Sequence, residues 1–144
     1  MMLKGINPIL TPELLKILME MGHGDEIVIS DGNFPASSIA KRLVRLDGQD
    51  VPAVLDAILS VMPLDQYVEN QVALMEVCPG DTVVPVIWDT YKEIIKKHEP
   101  EAKIEHMERF KYYERAKEAF AVVYTTEKAQ YANVILKKGC VIEK

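Results

Sequence analysis

Apolar side chains recur along the chain at two spacings, and the alternation between them predicts its elements. Leu14, Leu15, Ile17, Leu18 and Met21 fall three or four residues apart, the repeat of an amphipathic helix. Thr11 is placed to cap that helix, Pro12 suits its first turn and Glu13 complements the positive end of its dipole. Gly22 is expected to end it. Residues 26–30 are rich in β-branched side chains and stop at Asp31-Gly32-Asn33, which predicts a buried strand running into a tight turn.

The same reading continues to the C-terminus. Residues 34–40 suggest a loop with one helical turn, and 43–46 a short strand before Asp47-Gly48. Asp50 is a candidate N-cap for a helix carrying Val54, Leu55, Ile58, Leu59 and Met62 and closed by Pro63. Residues 71–77 read as a central strand with Pro79-Gly80-Asp81 as its turn. Pro85 opens a second long helix, with Ile87, Trp88, Tyr91, Ile94 and Ile95 on one face and Lys96-Lys97-His98 at its negative end. A strand over 104–107, a helix over 112–119, a strand over 120–126 and a last strand over 134–136 complete the chain. Helices alternating with strands predict the α/β class: a single compact domain over residues 1–144, with a mixed, partly parallel sheet flanked by helices.

Charge and composition narrow the function classes. With 144 residues, 22 acidic and 17 basic side chains and a formal net charge of −5, the chain lacks the concentrated basic patch that phosphate backbones demand, so no nucleic-acid partner is expected. No apolar run approaches the ~20 residues of a membrane span, and residues 1–5 lack the apolar core of a signal peptide, so no membrane partner and a cytoplasmic location are expected. Cys78 and Cys140 stand far apart without CxxC spacing, and His98 and His106 show no HxH or HExxH spacing. Neither a disulfide framework nor a metal site is encoded.

The candidate chemistry centres on Gly22-His23-Gly24-Asp25. A histidine, with an ordinary pKa of about 6.5, exchanges protons near neutrality, and glycines on both sides give a ligand access to the backbone. Asp25 or Asp31 is placed to hold the imidazole in one tautomer; a histidine at a glycine-capped helix end accounts for the same residues. Asp31 lies where a strand stops, the place at which open α/β sheets bind ligands, and is equally at home as a turn residue. Arg109 beside Phe110 is suited to grip a hydroxyl or carboxylate, or to sit on a solvated face. Tyr131 and Asn133 supply directional donors and acceptors, or form a plain turn.

Together these residues resemble the L-fucose mutarotase and D-ribose pyranase family, whose members interconvert sugar anomers. The likeness runs over residues 8–139 and matches as Gly22-His23-x-Asp25, Asp31 with Pro35 four residues on, and Tyr131-x-Asn133 leading into Ile135-Leu136-x-x-Gly139. Arg109, where the ribose branch has histidine, and the stretches Pro12-Glu13-Leu14-Leu15-Lys16 and Tyr113-Glu114-Arg115-Ala116 favour the fucose branch. The resemblance implies His23 as catalytic proton donor, Asp31, Arg109, Tyr131, Ala132 and Asn133 as sugar contacts, no cofactor, and a homo-oligomeric ring, a pentamer or a decamer, with sites near subunit boundaries. L-Fucose is the expected substrate. The alternatives are a D-ribose pyranase-like activity and a non-catalytic, transport-associated sugar-binding protein. Phe110 or Trp88 is expected to wall the sugar's methyl group. Two departures from the fucose-type pattern are Gly32-Asn33, in place of Ala-His, and Ala132, in place of glycine; both bear on mechanism or substrate preference.

Overall fold

The computed structural model describes residues 2–143, so Met1 and Lys144, the ends of the expected 1–144 domain, lie outside the described residues. Eleven elements follow in order: α1 (Pro12–Glu20), β1 (Glu26–Ser30), α2 (Ala36–Ile39), β2 (Leu43–Leu46), α3 (Val51–Leu59), β3 (Val72–Met75), α4 (Ile87–His98), β4 (Ile104–Met107), α5 (Arg109–Glu118), β5 (Ala121–Thr125) and β6 (Val134–Lys137). The strands form one sheet in the order β2-β5-β1-β6-β3-β4. β6 runs antiparallel to both β1 and β3, and the other pairs are parallel, so the mixed, partly parallel sheet is as expected.

Strand side chains alternate between two cores, one on each face of the sheet. Ile27, Ile29, Val72, Leu74, Ala121, Val123, Val134 and Leu136 face the larger core, where Leu14 and Leu18 of α1, most of α3, and Tyr91 and Ile95 of α4 pack against them. Val28, Ala73, Met75, Val122 and Ile135 face a smaller core closed by Phe34, Ala36, Tyr112 and Ala116. The central strands therefore read as unbroken apolar runs, because both of their faces are covered.

The caps explain the boundaries. Thr11 Oγ1 accepts the Leu14 amide at 3.2 Å and Asp50 Oδ1 the Ala53 amide at 2.9 Å. α1 stops at Glu20, ahead of the expected Gly22, because Met21 turns extended at ψ 134. α3 stops at Leu59 rather than running on to Met62. α4 begins two residues beyond Pro85. α5 begins at Arg109, three residues before the expected start, because Glu108 caps it by accepting the amides of Phe110 and Lys111 at 3.0 Å each. That earlier start puts Arg109 in the first turn, on the helix face it shares with Tyr113 four residues later.

Candidate active site

The C-terminal ends of the parallel strands and the entry to antiparallel β6 all open at one end of the sheet. A cleft of about 240 Å³ lies there, lined by Asp31, Asp81, Arg109, Tyr113, Tyr131 and Asn133 among its polar groups. Phe34, Met75 and Cys78 form its apolar wall. Phe110 and Trp88 do not line it, which corrects the expectation for the methyl face. Phe110 is exposed on the outside of α5, and the Trp88 indole N–H donates to the Tyr131 carbonyl at 2.8 Å from behind the cleft.

The segment Tyr131-Ala132-Asn133 is held from three directions. Besides Trp88, the Tyr91 hydroxyl donates to the Ala132 carbonyl at 2.7 Å, and Asn133 Oδ1 accepts the Asp31 amide at 2.8 Å. Ala132 is fully buried with its methyl in the larger core, so it can meet a ligand only through its backbone. Tyr131 has φ of +57°, the one positive value among the described non-glycine residues. A tyrosine in that region is strained, and such strain persists where surrounding bonds over-determine it, as these do.

Asp31 is 5% exposed. Burial pushes its carboxyl above the usual value, only partly offset by the amides of Asn33, Phe34 and Ala132. A carboxyl moved toward neutrality is suited to exchange a proton with a hydroxyl. The Gly32-Asn33 departure is accounted for locally: the Gly32 amide donates to the Glu127 carbonyl at 2.9 Å, and an added Cβ would come within 3.2 Å of that oxygen. The Asn33 amide donates to Asp31 Oδ1 at 3.0 Å while its side chain faces the cleft. Arg109 occupies the first turn of α5, where a cation opposes the helix dipole, so helix stability does not account for it there. Its guanidinium lies 5.5 Å from the Tyr113 ring centre.

His23 is not in this cleft. It precedes β1 and Asp31 follows it, so the five-residue strand places them at opposite ends of the sheet, separated by roughly 16 Å of strand at about 3.3 Å per residue. Neither of the expected aspartates holds the imidazole. Asp25 accepts the Gly22 amide at 2.8 Å, and Asp31 belongs to the other end. The partner is Asp65, which sequence spacing could not reveal from 42 positions away: its Oδ1 lies 2.8 Å from His23 Nε2. The Asp65 side chain is 3% exposed and that of His23 44%. Burial opposes ionisation of Asp65, but hydrogen bonds from His23 and the Tyr67 amide outweigh it and hold the carboxyl below its usual value. The pair presents an oriented imidazole, with Tyr67 tilted beside it at 5.4 Å, on an outward-facing surface.

The arrangement resembles proteins of known name. The chain is 51% identical over 139 residues to an L-fucose mutarotase from Actinobacillus pleuropneumoniae, covering 96% of each, and 48% identical over 143 residues to a human fucose mutarotase, covering 95% and 93%. A crystal structure of the fucose mutarotase of Streptococcus pneumoniae in complex with L-fucose superposes with a TM-score of 0.92 at 48% identity, over 97% of this chain and all of that one. The model of the RbsD / FucU transport protein family matches residues 4–141, and the chain belongs to that family.

Proposed function

We propose that this protein is an isomerase that interconverts the α and β pyranose anomers of L-fucose, residues 1–144 acting as one mutarotase domain. The observation that carries the reading is the cleft in which Asp31, Arg109, Tyr131 and Asn133 converge in a chain about half identical to fucose mutarotases. Anomer exchange opens the hemiacetal, rotates the aldehyde and closes the ring on its other face. Opening needs a proton delivered to the ring oxygen and one taken from the anomeric hydroxyl; closure reverses both. Asp31, as the carboxylate, is the cleft group able to take the hydroxyl proton. Arg109 and Asn133 read the ring hydroxyls, and the Ala132 backbone lets the sugar approach.

The donor in this reading is His23, acting in the cleft of a neighbouring copy; its distance from the cleft of its own chain supports that placement. Its Nε2 faces Asp65, which leaves Nδ1 to give and recover the proton. Copies joined head to tail, each placing its His23 end in the next copy's cleft, form a heterologous contact that closes into a ring. Exposed apolar side chains at both ends fit such a contact: Tyr67, Val141 and Ile142 belong with the His23 end, and Val84, Val86 and Phe110 with the cleft end. A pentamer or a decamer of two stacked rings is the expected assembly. The two free thiols, Cys78 and Cys140, suit the cytoplasm.

A second reading, sugar binding without turnover, is favoured by the absence of His23 from the cleft of its own chain. Exchange NMR on L-fucose separates the two. Saturation transfer between the anomeric protons should rise with wild-type protein and fall about 10²–10⁴-fold with His23→Asn. Binding without any gain in exchange would leave only the second reading, and preferential acceleration with D-ribose would move the substrate assignment.

A further inference from the structure

The turn after β3 closes on Tyr131 from both sides. Tyr131 Oη donates to Asp81 Oδ2 at 2.6 Å and accepts the Cys78 amide at 3.2 Å. A phenol has one proton to give and two lone pairs. The proton and one lone pair are therefore committed, and a single lone pair remains for a ligand. The other carboxylate oxygen of Asp81 is occupied too: Oδ1 accepts the Val83 amide at 3.0 Å. Both residues of the pair, together with Asn133 and Arg109, line the cleft.

We infer that Asp81 is a specificity-determining positioning residue: by holding the Tyr131 proton, it makes Tyr131 an acceptor-only reader of a hydroxyl that the sugar must present as donor. Bidirectional hydroxyls elsewhere in a site tolerate either polarity of ligand group; this one does not. A sugar with a hydroxyl at that position is bound, and one with an ether or a fluorine there meets an unpaired lone pair. The ionised carboxylate also opposes loss of the phenolic proton, and Tyr131 is accordingly pushed up to about 12, chiefly by its bond to Asp81. Tyr131 is thereby kept out of proton transfer at neutral pH and restricted to binding.

Asp81→Asn inverts this arrangement. Because the Val83 amide retains the acceptor oxygen, the new amide nitrogen faces Tyr131 Oη as a donor, and the phenolic proton turns toward the cleft. This rests on the mutarotase reading. With L-fucose exchange as the assay, Asp81→Asn should raise KM about tenfold, the scale of one lost hydrogen bond, with kcat changed by less than about twofold. In a Tyr131→Phe background the Asp81 substitution should have no further effect on KM, since the group it positions is gone. The Tyr131 Cζ resonance, assigned by its loss in Tyr131→Phe, should titrate near 12 in the wild type and lower in Asp81→Asn. An unchanged KM, or a KM effect that persists in the Tyr131→Phe background, overturns the inference. Wild-type protein that accelerates no exchange overturns the mutarotase reading instead, and the Tyr131 titration then decides the Asp81 pairing by itself: an unchanged titration in Asp81→Asn sinks it.

Discussion

If His23 works in a neighbour's cleft, two inactive variants should restore each other. His23→Asn removes the donor at one end of the sheet, and Asp31→Asn disables the cleft at the other; each should lower exchange by about 10²–10⁴-fold. His23 is half exposed, and its loss leaves both cores untouched. The Asp31 change is close to isosteric, and its carbonyl oxygen can still accept the Asn33 amide. In rings assembled at random from equal amounts of the two, half of the copies carry an intact cleft, and half of those clefts face an intact histidine. About a quarter of wild-type activity should therefore return.

A site built within one chain gives the opposite result, since every copy then lacks one of the two groups. The roughly 16 Å of strand between the two ends makes that alternative incompatible with this fold. The assay is co-expression with two different affinity tags, sequential purification on both, and saturation-transfer NMR on L-fucose. Doubly tagged material proves co-assembly. If that material is no more active than either parent, His23 does not act across a subunit boundary.

Two other substitutions, and the pH dependence of Asp31→Asn, probe the frame that carries the two ends. Gly139→Ala would drive a methyl into the Leu64 carbonyl and Gln66 Oε1; it should cost about 1–3 kcal/mol and lower activity as well, because residues 64–66 carry Asp65, as a denaturation midpoint and an exchange rate would show together. Arg115 bonds both carboxylate oxygens of Glu26 at 3.1 Å and Glu105 at 3.2 Å, tying α5 to β1 and β4. With its side chain 21% exposed, Arg115→Ala should cost about 2–3 kcal/mol in urea unfolding, less than a fully buried pair. For Asp31 the folded state holds the proton more tightly than the unfolded state, so wild-type stability falls as pH rises from about 3.8 through the raised folded value. Asp31→Asn lacks that loss: its melting temperature relative to wild type should be higher at pH 7 than at pH 4, and the reverse order would contradict the burial argument.

Local signals made most of the fold legible. Thr11 and Asp50 cap the helices assigned to them, and β1, β2 and β4 occupy the expected residues, because hydrophobic runs bounded by turn residues leave little choice of register. The start of α5 was misplaced because Glu108 is not among the usual Ser, Thr, Asp and Asn caps. Asp31, Arg109, Tyr131 and Asn133 line one cleft, while Ala132 is buried behind it. The sequence does not mark Asp65, Asp81 or Tyr113 as site residues. Asp65 and Asp81 act through partners 42 and 50 positions away, and nothing in their own neighbourhoods marks them. Tyr113 had one available signal, its four-residue spacing from Arg109, which became visible only once both were on the same helix.

The placement of His23 follows from a single strand. β1 pairs with parallel β5 on one side and antiparallel β6 on the other, so it lies inside the sheet, where its two ends cannot bend toward each other. His23 before that strand and Asp31 after it cannot meet within one chain. Both ends are nevertheless ordered: a buried carboxylate orients the imidazole at one, and a pinned, strained segment shapes the cleft at the other. A histidine placed only to cap a helix would need no buried aspartate behind it, and α1 has in any case ended three residues before His23. The cost of burying Asp65 is offset by its bonds to His23 and to the Tyr67 amide, and through the first of these the carboxylate fixes the orientation of the half-exposed imidazole.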